Sequence, residues 1–354
     1  MEQDRNLMKA AVLHAVGDLR YEDIAVPELA AGQVLVKVKA AGVCGSDIPR
    51  VMEKGTYSFP LVPGHEFSGE VARLGDSVPA SFRVGDRVAV FPLIPCRKCA
   101  YCQIGEYAQC DNYDYLGSRT DGGFAEYVAA PADNLIRIPE NVGFDCAAMT
   151  EPASVALHAL RRTGVDTGDS VAILGAGTIG IILAQWVRIC GAGRVFISDI
   201  VDEKLEVARG YGFGDCINAA QEDTVQRIRK ETDGRGVDIC VEAAGTGVTF
   251  EQSLRIVRKL GKVILMGNVS GDVVIPERTA SAILRGQLTI YGTWNSSFTP
   301  VPKNEWSTAL QFMSSGALDL KPLITHRFKL DQVNSAFHMM YKRQEFFNKV
   351  MFIF

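Results

Sequence analysis

Two groups of residues in this chain are spaced for metal chemistry. The first is four cysteines within fifteen residues, Cys96, Cys99, Cys102 and Cys110, in the run C-x2-C-x2-C-x7-C. Thiols at that density close a tetrahedral S4 cage around Zn2+. An iron–sulfur cluster is the competing metal. The bacterial ferredoxin run ends C-x3-C-P, whereas here the last gap is seven residues and Asp111 follows, which favours zinc. A disulfide pairing is weaker still, because nothing else in the sequence suggests export. Four protein sulfurs leave no open position, so an ion held there staples a loop. Catalysis has to come from elsewhere.

The second group is Cys44-Gly45-Ser46-Asp47 with Gly64-His65-Glu66, joined by Glu151 in Met149-Thr150-Glu151-Pro152. A thiolate, an imidazole and one carboxylate, with a fourth position open, make a catalytic zinc site. His65 and Glu66 are neighbours and would point to opposite faces of a regular strand. Both can bind only where the backbone is irregular, as Pro63-Gly64 allows. One carboxylate neutralises the site with Cys44, and a second leaves it net negative. One of Glu66 and Glu151 is therefore expected to bind through water or to exchange with the other. Taken singly, His65 reads as a core histidine and Cys44 as a buried thiol. Beside a nucleotide site and a cysteine lobe, those plain readings lose.

That nucleotide site is Gly175-Ala176-Gly177-Thr178-Ile179-Gly180, a G-x-G-x-x-G string placed after a strand-like run and opening a helical stretch. The first glycine permits a tight turn, the second lets a pyrophosphate approach, and the third lets helix and strand pack closely. The helix N-terminus offers free N–H groups and partial positive charge. A second strand-like run ends at Asp199, nineteen residues after Gly180. A carboxylate there accepts from ribose hydroxyls and repels a 2′-phosphate, favouring NAD over NADP, although Lys204 nearby tolerates extra negative charge. The plain alternative is three glycines serving packing alone.

The elements that must position these groups are legible in pattern. Val34–Ala40, Phe67–Arg73 and Arg87–Phe91 alternate as half-buried strands between turns such as Leu74-Gly75-Asp76 and Val84-Gly85-Asp86. They predict a barrel-like first domain. Near residue 155 the pattern changes. Strands at Val171–Leu174, Val195–Ser198, Val237–Val241, Val263–Met266 and Leu288–Tyr291 alternate with helices, for instance Asp202–Gly210 and Thr249–Leu260. That alternation predicts a parallel sheet covered on both faces. After about Thr293 it loosens, and the C-terminal segment is expected to return to the first domain.

The chain of 354 residues is ample for two cores. Lys+Arg 37 against Asp+Glu 41 gives a net charge of -4, which argues against a nucleic-acid groove and leaves any anionic substrate to a few local cations. The start, MEQDRNLMKA, has no apolar core and is not a signal peptide. Val171–Val187 is uncharged, but its glycines at 175, 177 and 180 suit a buried strand, turn and helix better than a membrane span. Nine cysteines without a secretory signal point to a reducing, cytoplasmic setting. Of these, Cys146, Cys190, Cys216 and Cys240 read as structural, the last three as small buried hydrophobes.

On CGSD at 44–47, GHEFSG at 64–69, the cysteines at 96–110, GGFAEY at 122–127, EP at 151–152 and GAGTIG at 175–180, the sequence resembles the zinc-dependent medium-chain dehydrogenase/reductase family over essentially its whole length. Glutamate at 151 looks like its polyol dehydrogenase branch. CGSDIPR at 44–50, GSRTDGGFAEY at 117–127, GTWNSS at 292–297 and EW at 305–306 resemble members of that branch acting on polyol phosphates. The resemblance implies an α/β protein. A GroES-like β-barrel catalytic domain would cover 1–156 and 293–354, with a structural-zinc lobe at 92–113. A Rossmann NAD-binding domain would cover 157–292, with the active site in the cleft between the two. It implies two Zn2+ per chain, one structural and one catalytic, the latter on Cys44 and His65 with Glu66 or Glu151. It implies proton release through Ser46, Asp47 acting from behind the ligands, and nucleotide contacts around Ile179, Asp199, Lys204 and Gly267. Many members carry a histidine where this chain has Pro49, so the proton relay is traced only as far as Ser46.

The implied chemistry is oxidation of a secondary hydroxyl through a zinc alkoxide with hydride transfer to NAD, in family terms galactitol 1-phosphate to tagatose 6-phosphate. Arg50, just after the ligand loop, is the candidate phosphate anchor, against a plain solvent-exposed arginine. The alternatives are a dehydrogenase of free sorbitol-like polyols or vicinal diols, and a non-enzymatic NAD-binding protein. The resemblance further implies a homodimer or homotetramer joined through nucleotide domains. The strand near Leu288–Tyr291 is a candidate exposed sheet edge.

Overall fold

The computed structural model describes residues 7–299, 301 and 303–354. Residues 1–6, part of the start read above as carrying no signal peptide, lie outside them. The chain forms two compact units, Met1–Pro152 with Ser297–Phe354, and Ala153–Ser296. The first unit thus runs to Pro152 and resumes at Ser297.

The first unit is built on a seven-stranded sheet. Its order is Ile324–Phe328, Lys349–Ile353, Gln33–Val43, Glu66–Leu74, Arg87–Val90 and Leu135–Arg137, and Tyr127–Pro131 also pairs with Gln33–Val43. A hairpin of Leu7–Ala15 and Asp18–Ala25 stands beside it, bridged at Ala10–Ala125 and Leu13–Leu61. Inward residues make one apolar cluster that includes Val36, Val38, Phe67, Val71, Phe124, Phe337 and Phe352. Each fully buried phenylalanine there contributes about 1.5–3 kcal/mol of transfer free energy. The C-terminal strand pairs antiparallel with Gln33–Val43, so the last residues complete the sheet that carries the ligand loop.

The second unit is a six-stranded parallel sheet in the order Asp215–Asn218, Arg194–Asp199, Ser170–Leu174, Val237–Glu242, Val257–Leu265 and Thr289–Gly292. Numbered along the chain this is 3-2-1-4-5-6, the doubly wound dinucleotide-binding order, which reverses direction beside Ser170–Leu174. Every residue of Ser170–Leu174 is buried, as expected of a strand covered on both faces. The stretch Val171–Val187 is that strand, a turn and the helix Thr178–Ile189. No helix among the described residues is long and apolar enough to cross a membrane.

Several local expectations change. The helix expected over Thr249–Leu260 is Gly247–Ile256, capped by Thr246. Val257 already has extended backbone and opens the next strand, pairing with Val237. Its β-branched side chain suits that strand, and the helical spacing of neighbouring apolar residues hid the switch. The strand Asp215–Asn218 escaped notice because four residues with polar ends carry almost no periodicity. Cys240 is buried and Cys216 half-buried, but Cys190 is exposed at the C-terminal cap of Thr178–Ile189, where the helix has ended.

Candidate active site

Cys44 lies just past the strand Gln33–Val43, and His65 just before the strand Glu66–Leu74. Gly64 between Pro63 and His65 has φ +95°, with the Phe124 ring where a side chain would be. That kink takes His65 out of the strand register, so His65 and Glu66 can face the same point. One donor atom each from Cys44, His65 and Glu66 lies within 4.8 Å of the others. Glu151, in the first turn of the helix Thr150–Thr163, is buried nearby and accepts from the Tyr115 hydroxyl at 3.3 Å. Tyr115 also meets the His65 ring edge-on, with centroids 5.8 Å apart. Burial, less an offset from His65, pushes the Glu151 carboxyl up to about 7. Ser46 is half-buried beside Cys44, and its hydroxyl caps nothing in the short turn Asp47–Pro49.

Behind these donors stand fixed charges. His65 Nδ1 lies 3.4 Å from Asp47 Oδ1, which leaves Nε2 for a ligand. Asp47 is fully buried, and its other oxygen accepts from the Cys44 N–H at 3.0 Å. Burial would raise its carboxyl, but His65 and the Arg50 guanidinium more than offset that and hold it below the usual range. Arg50, expected to face a substrate anion, instead directs Nη1 at Asp47 Oδ1 and is mostly buried. Much of its charge is thus taken up inside the protein.

The residue that sequence reasoning missed is Lys349. It opens the strand Lys349–Ile353, fully buried, and donates to Glu66 Oε1 at 2.9 Å, Glu66 Oε2 at 2.7 Å and the Val43 carbonyl at 3.0 Å. Burial would lower its ammonium, and Glu66 more than restores it, so it stays protonated. A lysine at the head of an apolar run was a visible anomaly, but its partner lies 283 positions away. Tyr115 was likewise missed.

The donor chemistry fits a divalent cation. Burial alone would lower the His65 imidazole, yet Asp47 and Cys44 hold it well above its ordinary range, so the pocket favours positive charge at this point. Cys44, His65 and Glu66 would hold a metal ion in place of that proton.

The cysteine lobe fits too. The four sulfurs lie within 4.8 Å of one another, and Cys96 Sγ is 4.0 Å from Cys102 Sγ. Sulfurs about 2.3 Å from a tetrahedral zinc lie about 3.8 Å apart. Backbone N–H groups turn toward them: Cys96 N–H to Cys110 Sγ at 3.2 Å and Lys98 N–H to Cys96 Sγ at 3.5 Å. The Lys98 and Cys99 amides lower Cys96 to about 6, whereas burial raises Cys102 to about 12. All nine cysteines are free thiols.

In the second unit the three glycines differ in kind. Gly175 has φ +110° and abuts Ala243 and Ala244. A Cβ on Gly180 would strike the Gly175 carbonyl, so packing requires glycine there. A Cβ on Gly177 would meet nothing within 4 Å. Protein packing does not explain that glycine, and space left above a helix N-terminus suits a phosphate. Thr178 and Ile179 follow, half-buried, in the first helical turn. Asp199 ends its strand and accepts from the Ala176 N–H at 2.8 Å and the Val201 N–H at 3.1 Å, with Lys204 Nζ 3.5 Å away. Gly267 donates its N–H to the Glu242 carbonyl at 3.0 Å and packs against Gly245.

Comparison with known proteins agrees with this geometry. Residues 30–140 match the family described as "Alcohol dehydrogenase GroES-like domain" and residues 178–315 the family described as "Zinc-binding dehydrogenase". Galactitol 1-phosphate 5-dehydrogenase of Escherichia coli (strain K12) is 36% identical over 330 residues, 93% of this chain and 95% of that protein. Sorbitol dehydrogenase of Bacillus subtilis (strain 168) is 34% identical over 334 residues, covering 93% and 92%. The crystal structure of galactitol-1-phosphate dehydrogenase from Escherichia coli superposes with a TM-score of 0.92 at 34% identity, over 98% of this chain and 100% of that one. The donor set, the glycine loop and these full-length similarities agree, and the chain belongs to the polyol dehydrogenase branch of the zinc-dependent medium-chain dehydrogenase/reductase family.

Proposed function

We propose that this zinc-dependent alcohol dehydrogenase oxidises a secondary hydroxyl of a polyol phosphate with NAD, converting galactitol 1-phosphate to tagatose 6-phosphate. The observation that carries this reading is the mixed set of Cys44, His65 and Glu66 around one point. Zinc bound there supplies a Lewis acid that acidifies a hydroxyl, and the nicotinamide accepts the hydride.

The chain's own residues do the rest. Asp47 fixes the His65 tautomer, and Arg50 neutralises Asp47. Lys349 holds the Glu66 carboxylate in place as the third donor. Glu151 stays off the donor set, held by Tyr115. Ser46 takes the departing proton at its hydroxyl oxygen and passes it to water, because Pro49 has none to relay. In the second unit the N–H groups at Gly177–Gly180 receive the pyrophosphate, with Gly267 beside the Gly245 turn. Asp199 disfavours a 2′-phosphate, although Lys204 softens that preference.

A sorbitol- or vicinal-diol-oxidising enzyme is the second reading, favoured by the engagement of Arg50 with Asp47. Reduced-nicotinamide absorbance with galactitol 1-phosphate, galactitol and sorbitol, each with NAD and NADP, tests the two. Faster turnover of the unphosphorylated polyols selects the second. The strand Thr289–Gly292 ends its sheet with one edge unpaired among the described residues, supporting a homodimer or homotetramer that light scattering would register. The reduced cysteines suit a cytoplasmic setting.

A further inference from the structure

If the substrate carries an anion, some cation near the donor set must receive it. Arg50 already faces Asp47, and Lys349 already faces Glu66. Arg119 has no such partner. It is half-buried, and no carboxylate pairs with it among the described residues, in a chain where acids outnumber bases. Its guanidinium carbon sits 4.5 Å from the Tyr57 ring centroid and 4.3 Å from that of Tyr113. Two rings flank the guanidinium, and its N–H groups donate in the guanidinium plane. One N–H is used, Nη1 to the Tyr113 carbonyl at 3.1 Å. The remaining in-plane donors are open for a planar or tetrahedral oxyanion.

The fold brings this group toward the donor set. Tyr113 meets Tyr115 edge-on at 6.3 Å, and Tyr115 meets His65 at 5.8 Å. The turn bearing Arg119 is closed by the Gly117 N–H on the Thr120 carbonyl at 2.7 Å. Gly117 lies directly against the backbone of Gly64, next to His65. The loop bearing Tyr57 is tied to the same turn by Thr56 Oγ1 donating to the Ser118 carbonyl at 2.6 Å. Tyr57 is 72% exposed, so the stack stands where a solute can reach it.

We propose that Arg119 receives the terminal anionic group, phosphate or carboxylate, of the polyol substrate and so sets the preference for charged over neutral polyols. This rests on the polyol-phosphate reading above. The test is kcat/KM for galactitol 1-phosphate, L-idonate and sorbitol with wild type, Arg119→Ala, Arg119→Lys and Arg50→Ala. Arg119→Ala should lower kcat/KM about 100-fold more for the anionic substrate than for sorbitol, mostly through KM, as loss of two charge-assisted hydrogen bonds implies. Arg119→Lys should restore about a tenth of the lost preference, keeping charge without the planar fork. Arg50→Ala should lower all substrates alike. Collapse of the phosphate arm alone identifies a phosphate, and of the idonate arm alone a carboxylate. Zinc content and melting temperature equal to wild type show that Arg119→Ala is folded. If wild type itself shows no preference for either anion, the functional reading falls and takes the proposal with it. If wild type discriminates and Arg119→Ala, or Arg119→Lys should Ala not fold, keeps that ratio, only the assignment of Arg119 is overturned.

Discussion

The two donor sets of the first unit are held by different physics. The cysteine lobe draws all four donors from one stretch of fifteen residues, and backbone amides stabilise its thiolates. The Cys44–His65–Glu66 set draws on distant strands, and buried side-chain charges stand behind it: Asp47 with Arg50, and Lys349 on Glu66. A set with four sulfurs and no charged support needs its ion to exist as a structure. A set braced by ion pairs keeps its shape with one position left over. Closed and open sites thus differ less in donor type than in what supports the donors.

The sharpest way to break that contrast is Cys102→Ser. Structural zinc carries folding free energy, with apparent binding of about 10–16 kcal/mol in zinc-finger peptides. The variant should lose one zinc equivalent and the largest share of stability of any substitution named here, read by metal analysis and urea midpoint. Equal midpoints for Cys102→Ser and wild type would erase the distinction.

Lys349→Met addresses the braced site. Removing one partner of a buried pair costs about 3–5 kcal/mol, because the other charge is left uncompensated. The loss should be larger in metal-free protein than in zinc-loaded protein, where the ion takes over neutralisation of Glu66. Denaturant titrations in both states decide, and identical losses would separate Lys349 from the donor set.

Cys44→Ser should do the opposite of Cys102→Ser. It should lower kcat at least about 1,000-fold, about 4 kcal/mol of barrier, while the melting temperature moves little.

The smallest effect belongs to the second unit, where no such donor set occurs among the described residues. Asp238 accepts from the Ser170 N–H at 2.8 Å, the Ser170 hydroxyl at 2.6 Å and Arg258 Nε at 2.6 Å. Burial opposes ionisation, but these donors hold its carboxyl at about 2 against an ordinary 3.8. Because the folded value is depressed, its stabilisation is full above pH 4 and is lost as pH falls toward 2. After allowance for solvent screening this is about 1–2 kcal/mol. Asp238→Asn should flatten the acid limb of stability between those values, and an unchanged limb would assign acid sensitivity to other groups.

Much of this was legible in the residues. Spacing alone marked the cysteine lobe, and strand–glycine–helix context marked the nucleotide loop. The helix Asp202–Gly210 appears with the bounds its pattern suggested. What stayed hidden involved long-range partners. Nothing local says that Lys349 faces Glu66, that Arg50 turns inward to Asp47, or that Tyr57 and Tyr113 enclose Arg119. That Glu66 lies with Cys44 and His65 while Glu151 accepts from Tyr115 was hidden, because it depends on the kink at Gly64 and on Tyr115, neither of which has a periodic signature.

The pairing of Lys349 with Glu66 also sets an order of events at the ribosome. The lysine is translated 283 positions after its carboxylate, behind the whole nucleotide-binding segment. At about 5–20 residues per second that is a delay on the order of tens of seconds. During that interval Glu66 lacks its counter-ion, and the strand Gln33–Val43 lacks one of its neighbours. The nucleotide unit can mature first, and the Lys349–Glu66 pair forms only once residue 349 has been made.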